Sequence, residues 1–195
     1  MNSIAALVVA SGILVLIPGP NAALIVANSL RYGFRMGVMT VLGTTAGVAV
    51  QLVLVVAGLA AVIELAADLL TWVRWTGVFY LLWLGVRTWR EPATDLEKVA
   101  AAPALFWRGC MLAAANPKTL LFNAAFIPQF AGDGSGAHFV LVAGVFLGVL
   151  FTGDVAWALF ASSAREFIGR FAHQRNRITG AFLTAAGIGL ALARR

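Results

Sequence analysis

Leu16 to Arg31 reads LIPGPNAALIVANSLR, two prolines and a glycine set inside an apolar run and followed at once by an asparagine. Proline lacks a backbone donor and clashes with the preceding turn, so Pro18-Gly19-Pro20 breaks any helix it interrupts. Apolar sequence lies on both sides, from Ile4 up to the break and from Ala22 to Leu30 beyond it. The stretch therefore reads as one helix interrupted near its middle, and the surroundings decide what that means.

Those surroundings are lipid. Of the 195 residues, 61% are hydrophobic and 11% charged, and the mean hydropathy is +0.91. Soluble domains carry about 25% charged residues, so an all-α integral membrane protein is expected. At about 20 apolar residues per span, the length suits a bundle of roughly six helices with little extramembrane mass. The single Cys110 gives no intrachain disulfide, and no Cys/His cluster points to a metal or other cofactor. The net charge of +6 is scattered over short loops, so nucleic acid is not indicated as a partner. Met1-Asn2-Ser3 lacks the basic start of a signal peptide, and the first apolar segment reads as a retained helix.

Six apolar stretches are expected to span, approximately Ile4 to Leu30, Val38 to Ile63, Trp72 to Val86, Phe106 to Phe126, His138 to Phe160 and Ile178 to Ala193. Lipid offers loose backbone groups no partner, so broken backbone must face protein or a wet cavity. Ten of the fourteen basic residues fall in the first, third and fifth connections, among them Arg31, Arg35, Arg87, Arg90, Lys98 and Arg165. The positive-inside rule then puts both termini outside the cytoplasm. Trp72, Trp75, Trp89 and Trp107 near span ends suit interfacial anchoring or bundle packing equally.

The two halves repeat one another. RWTGVFYLL at Arg74 to Leu82 matches RITGAFLTA at Arg177 to Ala185 in Arg, Thr, Gly and Phe. The first helix of each half breaks at a corresponding place, Pro20-Asn21 and Pro117-Lys118, and the second carries paired glycines, Gly43 with Gly47 and Gly144 with Gly148. Each half holds three spans, an odd number, so the second is inverted relative to the first. One transmembrane domain is expected, with repeat one at about 1–98 and repeat two at about 99–195.

Paired interrupted helices point to a midplane binding site. Freed amides attract an anion and freed carbonyls a cation, which suits an amino acid or similar zwitterion. The expected site comprises Pro18, Gly19, Pro20, Asn21, Asn116, Pro117 and Lys118, with Asp154 and Gln51. Simple kinking accounts for a single proline equally well. Asn21 and Asn116 either cap the freed backbone or touch substrate. Lys118 lies ten residues past Arg108, roughly 15 Å deep in a core of about 30 Å. A charge there costs at least about 2.5 kcal/mol and needs a partner, water or a route to the interface.

Asp154, in FTGDVAW, lies roughly 10 to 15 Å from the cytoplasmic face, within reach of Lys118. It is the first choice for carrying a coupled proton; a structural ion pair with Lys118 is the alternative. Asn28, Asn123, Thr44, Thr45 and Thr152 either line the cavity or bond between helices. GDGSG at Gly132 to Gly136 lacks the Lys-Ser/Thr of a phosphate loop, and His138 and His173 stand apart at span edges. No Ser-His-Asp, HExxH or paired-carboxylate arrangement points to an enzyme.

PGPN at Pro18 to Asn21, RYGFRMGVMTVLGTTAG from Arg31, WTGVFYLLWLGVRTWR from Trp75, NPK at Asn116 to Lys118 and FIPQF from Phe126 occur in this order along the whole chain. Together they resemble the LysE/RhtB family of bacterial amino-acid exporters. The resemblance implies a six-helix secondary transporter of the inner membrane that exports amino acids or small derivatives using the proton gradient. Its partners would be the amino-acid substrate and the lipid bilayer, with a homo-oligomer left open. Members often carry a polar or ionisable residue in the second helix after the paired glycines. Gln51 is the polar residue there, which shifts the coupling role onto Asp154.

Overall fold

A computed structural model describes residues 3–55, 75, 78–79, 82–87, 89–90, 101–131, 136–168 and 172–192. The described residues form helices and contain no strand: α1 (Ser3–Leu16), α2 (Pro20–Tyr32), α3 (Phe34–Leu54), α4 (Ala102–Ala114), α5 (Pro117–Ala125), α6 (Ile127–Ala131), α7 (Gly136–Ile168) and α8 (Ala172–Leu192). Residues 82–87 of the third apolar stretch are also helical. Seven of the fifteen residues of that stretch, Trp72 and Arg74 among them, lie outside the described residues, as do Glu64, Asp68, Lys98, Asp133, Arg170, Arg194 and Arg195.

Both breaks fall where proline dictates. α1 and α2 meet at 58° across Ile17 to Gly19, and the helices flanking Asn116 meet at 52°. Phe34–Leu54 and Gly136–Arg165 are long and apolar enough to cross a membrane, and each bent pair counted as one span raises the number to four among the described residues. The first connection is tighter than the stretch boundaries suggested. Only Gly33 separates α2 from α3, at φ 89°, a left-handed conformation that glycine adopts without penalty. Arg31 and Arg35 thus sit in terminal helical turns rather than in a loop.

α2 is the axis of the bundle. Every residue from Pro20 to Leu30 is buried, as befits a helix surrounded on all sides. Leu24 and Ala27 join Leu112 of α4 and Leu183 of α8, Ile25 joins Val41 and Ala158, and Val26 and Leu30 join Ala161. In a further cluster Leu7, Leu52, Ala113, Phe146 and Leu150 converge.

The closest helix crossing is α3 on α4, and glycine makes it. A Cβ on Gly43 would overlap the Phe106 carbonyl, and one on Gly109 would fall 2.7 Å from the Thr40 carbonyl. Backbones approach this closely only where side chains are missing, the usual solution for helix packing in lipid. Gly144 and Gly148 behave differently from Gly43 and Gly47: a Cβ at either position would meet no neighbour within 4 Å among the described residues. The paired glycines of α3 and those of α7 therefore meet unequal surroundings.

Candidate functional site between the two helix breaks

The breaks meet at the centre of the bundle. Asn116 is the N-cap of α5, and its Oδ1 accepts from the Lys118 backbone N–H at 3.0 Å. Its Nδ2 donates to Asn21 Oδ1 at 2.8 Å. One side chain thus caps its own helix and ties that helix to the start of α2. Both asparagines are buried, Asn116 at 3% exposure and Asn21 at 8%. Gly19, the N-cap of α2, supplies no side-chain cap, so the first-turn amides of α2 depend on other partners.

The carbonyl ends of the two interrupted helices are closed differently. Lys118 Nζ crosses to α1 and donates to the Leu14 carbonyl at 2.7 Å and to the Ile17 carbonyl. Trp157 Nε1 of α7 donates to the Val15 carbonyl at 3.1 Å. At the second break the cap is neutral: Gln51 Nε2 of α3 faces the carbonyls of Ala113 (2.8 Å), Ala114 (3.1 Å) and Asn116 (3.2 Å). Gln51 Oε1 accepts from Asn123 Nδ2 at 3.0 Å. A helix C-terminus carries partial negative charge, so a cation at the α1 end gains from the dipole as well as from its bonds.

Lys118 and Asp154 border the same cavity but do not form an ion pair within 4.0 Å. Of the two readings of Asp154, the alternative of a structural ion pair with Lys118 does not hold: the freed carbonyls of α1 hold the ammonium. Asp154, 6% exposed, has Thr44 Oγ1 at 3.4 Å, and the same hydroxyl lies 3.0 Å from the Val41 carbonyl. A hydroxyl has one proton to donate. When Asp154 is protonated, it donates to Thr44 while Thr44 donates to Val41, and both contacts are satisfied together. When Asp154 is ionised, the two acceptors compete for one proton.

The cavity holds about 30 Å³ and is walled by Leu14, Gly19, Asn21, Asn116, Lys118 and Asp154, among others. That is room for about one water. The other expected residues stand around it. Pro20 and Pro117 open α2 and α5, Pro18 is exposed, and Gln51 sits over the end of α4. Thr152 is exposed and bonds back to the Gly148 carbonyl of its own helix. Sequence reasoning pointed to freed carbonyls at the break, as the last turn of any interrupted helix must leave them, but not to Leu14 and Ile17 as their bearers or to Lys118 as the cation they hold. It also missed Trp157, whose position in an apolar helix carries no local signal.

Several known proteins are similar to this chain. It is 34% identical over 124 residues to a protein of Salmonella typhimurium named homoserine/homoserine lactone efflux protein, covering 62% of this chain and 60% of that one. It is 35% identical over 122 residues to one of Salmonella choleraesuis named leucine efflux protein, covering 60% and 58%. The match to an uncharacterized membrane protein of Bacillus subtilis, YrhP, is 27% over 207 residues and takes in 96% of this chain and 98% of that one. The matched region thus spans only about three-fifths of the two efflux proteins. No solved structure matches the chain significantly. The family model described as LysE type translocator matches residues 12–194, nearly the whole length, and the chain belongs to that family.

Proposed function

We propose that this protein is a proton-coupled secondary transporter that exports amino acids or small amino-acid derivatives across the bacterial inner membrane. In this reading six spans form two inverted three-helix repeats, about 1–98 and 99–195, with both termini outside the cytoplasm. The observation that carries it is the meeting of the two proline breaks around one cavity bordered by a lysine and a buried aspartate. The names of the Salmonella relatives support both the substrate class and the outward direction.

The substrate is a zwitterion, and the site offers both complements. Its ammonium takes the Leu14 and Ile17 carbonyls now held by Lys118 Nζ. The released lysine, with the uncapped first turn of α2, receives the carboxylate. A cavity of about 30 Å³ is too small for an amino acid, so the lysine must swing away for binding. Asp154 carries the coupling proton, its two states distinguished by how Thr44 divides its single hydrogen.

The test is reconstitution. In proteoliposomes, homoserine or leucine should move against its gradient when a proton gradient is imposed, and Asp154→Asn should abolish this while leaving expression and melting temperature intact. Proton-driven transport that continues at the wild-type rate in Asp154→Asn removes Asp154 from the coupling step. Transport that never exceeds the substrate gradient replaces the coupled exporter by a channel.

A further inference from the structure

Glycines at matching positions of the two halves do opposite things. In α3 and α4 they are consumed by contact: a Cβ on Gly47 would overlap the Cys110 carbonyl and lie 2.8 Å from Ala113 Cβ, and Gly43 and Gly109 are as tightly covered. Gly12 stands as far ahead of Pro20 as Gly109 stands ahead of Pro117, eight residues. Gly144 and Gly148 match Gly43 and Gly47. Around Gly12, Gly144 and Gly148 a Cβ would meet nothing within 4 Å among the described residues.

Two of these open glycines share a surface. Gly12 and Gly148 face one apolar groove of about 550 Å³ between α1 and α7, walled also by Val15, Leu16, Val145 and Val149. Glycine within a helix costs about 1 kcal/mol relative to alanine where no close approach offsets it. The groove has a contact at one edge, where a Cβ on Gly153 would fall 2.7 Å from Val15 Cγ2. The break at Ile17 to Gly19 separates α1 from the buried α2.

We propose that this groove is the closing face of the opposite-facing state, in which Gly144 and Gly148 of α7 seat on the backbone of α1 beside Gly12, as Gly43 and Gly47 of α3 seat on α4 beside Gly109. The proposal rests on the inverted-repeat reading: exchanging the conformations of two inverted repeats exchanges their interfaces. The present structure then has the α3–α4 seam shut and the α1–α7 seam open. Turnover shuts the second and opens the first, so both seams need small residues although only one is occupied at a time. Each set of glycines is used in one state and left bare in the other.

The experiment is a disulfide trap in the full-length protein with Cys110→Ala, carrying Gly12→Cys and Gly148→Cys and oxidised in native membranes. An intramolecular disulfide should form, because closure brings the pair within bridging distance. Adding Gly43→Leu, which keeps α3 from seating on Phe106, should speed it by about an order of magnitude. No intramolecular disulfide in either background, a rate indifferent to Gly43→Leu, or bridging between two copies overturns the proposal. Should Gly43→Leu not fold, Gly144→Leu serves, since its side chain has open space here. It should keep the wild-type melting temperature and yet slow amino-acid exchange about tenfold or more; unchanged exchange overturns the proposal. The disulfide reports seam closure without any substrate, so a failure of the export reading leaves its outcome separately legible.

Discussion

Asn21 and Asn116 lie 95 residues apart and share a hydrogen bond of 2.8 Å that joins the two helix breaks at the centre of the bundle. Asn116 contributes twice, because its other side-chain atom caps α5. Removing it therefore costs more than removing Asn21. Asn116→Ala should lower stability by about 1–3 kcal/mol, the cost of a lost cap with a buried partner left unpaired. Asn21→Ala should cost less, and the double variant less than the sum. Melting in detergent of the three proteins measures this, and additive losses would show that the bond is energetically idle.

Lys118 holds the end of α1 by two carbonyls. Lys118→Met keeps the length of the side chain and deletes the donor, stranding both acceptors at about 1–3 kcal/mol. Transport should vanish, and amide exchange near Leu14 to Gly19 should speed up. A variant that melts like the wild type with unchanged exchange there would mean the ammonium is not the clamp.

Gln51 closes the other break. Gln51→Leu removes the donor facing Ala113, Ala114 and Asn116 and the acceptor used by Asn123, and should cost about 1–3 kcal/mol. Gln51→Glu should be worse when ionised, because it points a carboxylate at carbonyl oxygens. Comparison of their melting temperatures decides, and equal values would show that the amide contributes only its volume.

Thr44 Oγ1 lies between the Asp154 carboxyl and the Val41 carbonyl. Thr44→Val preserves shape and removes the hydroxyl, so substrate exchange should survive while proton-driven accumulation falls, by about tenfold for a bias near 1.4 kcal/mol. Proteoliposomes assayed in exchange and in gradient-driven mode separate the two. An equal loss in both modes would assign Thr44 to packing.

Much of the site was legible before folding. Pro18, Pro20 and Pro117 announce breaks because a missing N–H is missing in any environment. Asn116 announces a cap from its place before Pro117. Lys118 and Asp154 stand out because charge in lipid needs a reason. Their mutual relation was not legible. Sequence depth put them within reach of each other, and only the course of α1 past Lys118 supplied two carbonyls to its ammonium.

By itself, then, the sequence determined that the described segments are helical, where two of them break and that they belong in a membrane, since these follow from backbone chemistry and apolar composition read locally. Tertiary structure alone decided that α2 is the buried axis, that Gln51 and Lys118 serve as caps of opposite character, and that Gly43 is covered while Gly144 is bare. Paired glycines four residues apart carry the same local information in α3 and in α7. Their energies differ because each is set by the neighbour across the interface, and that neighbour is brought there by the rest of the chain.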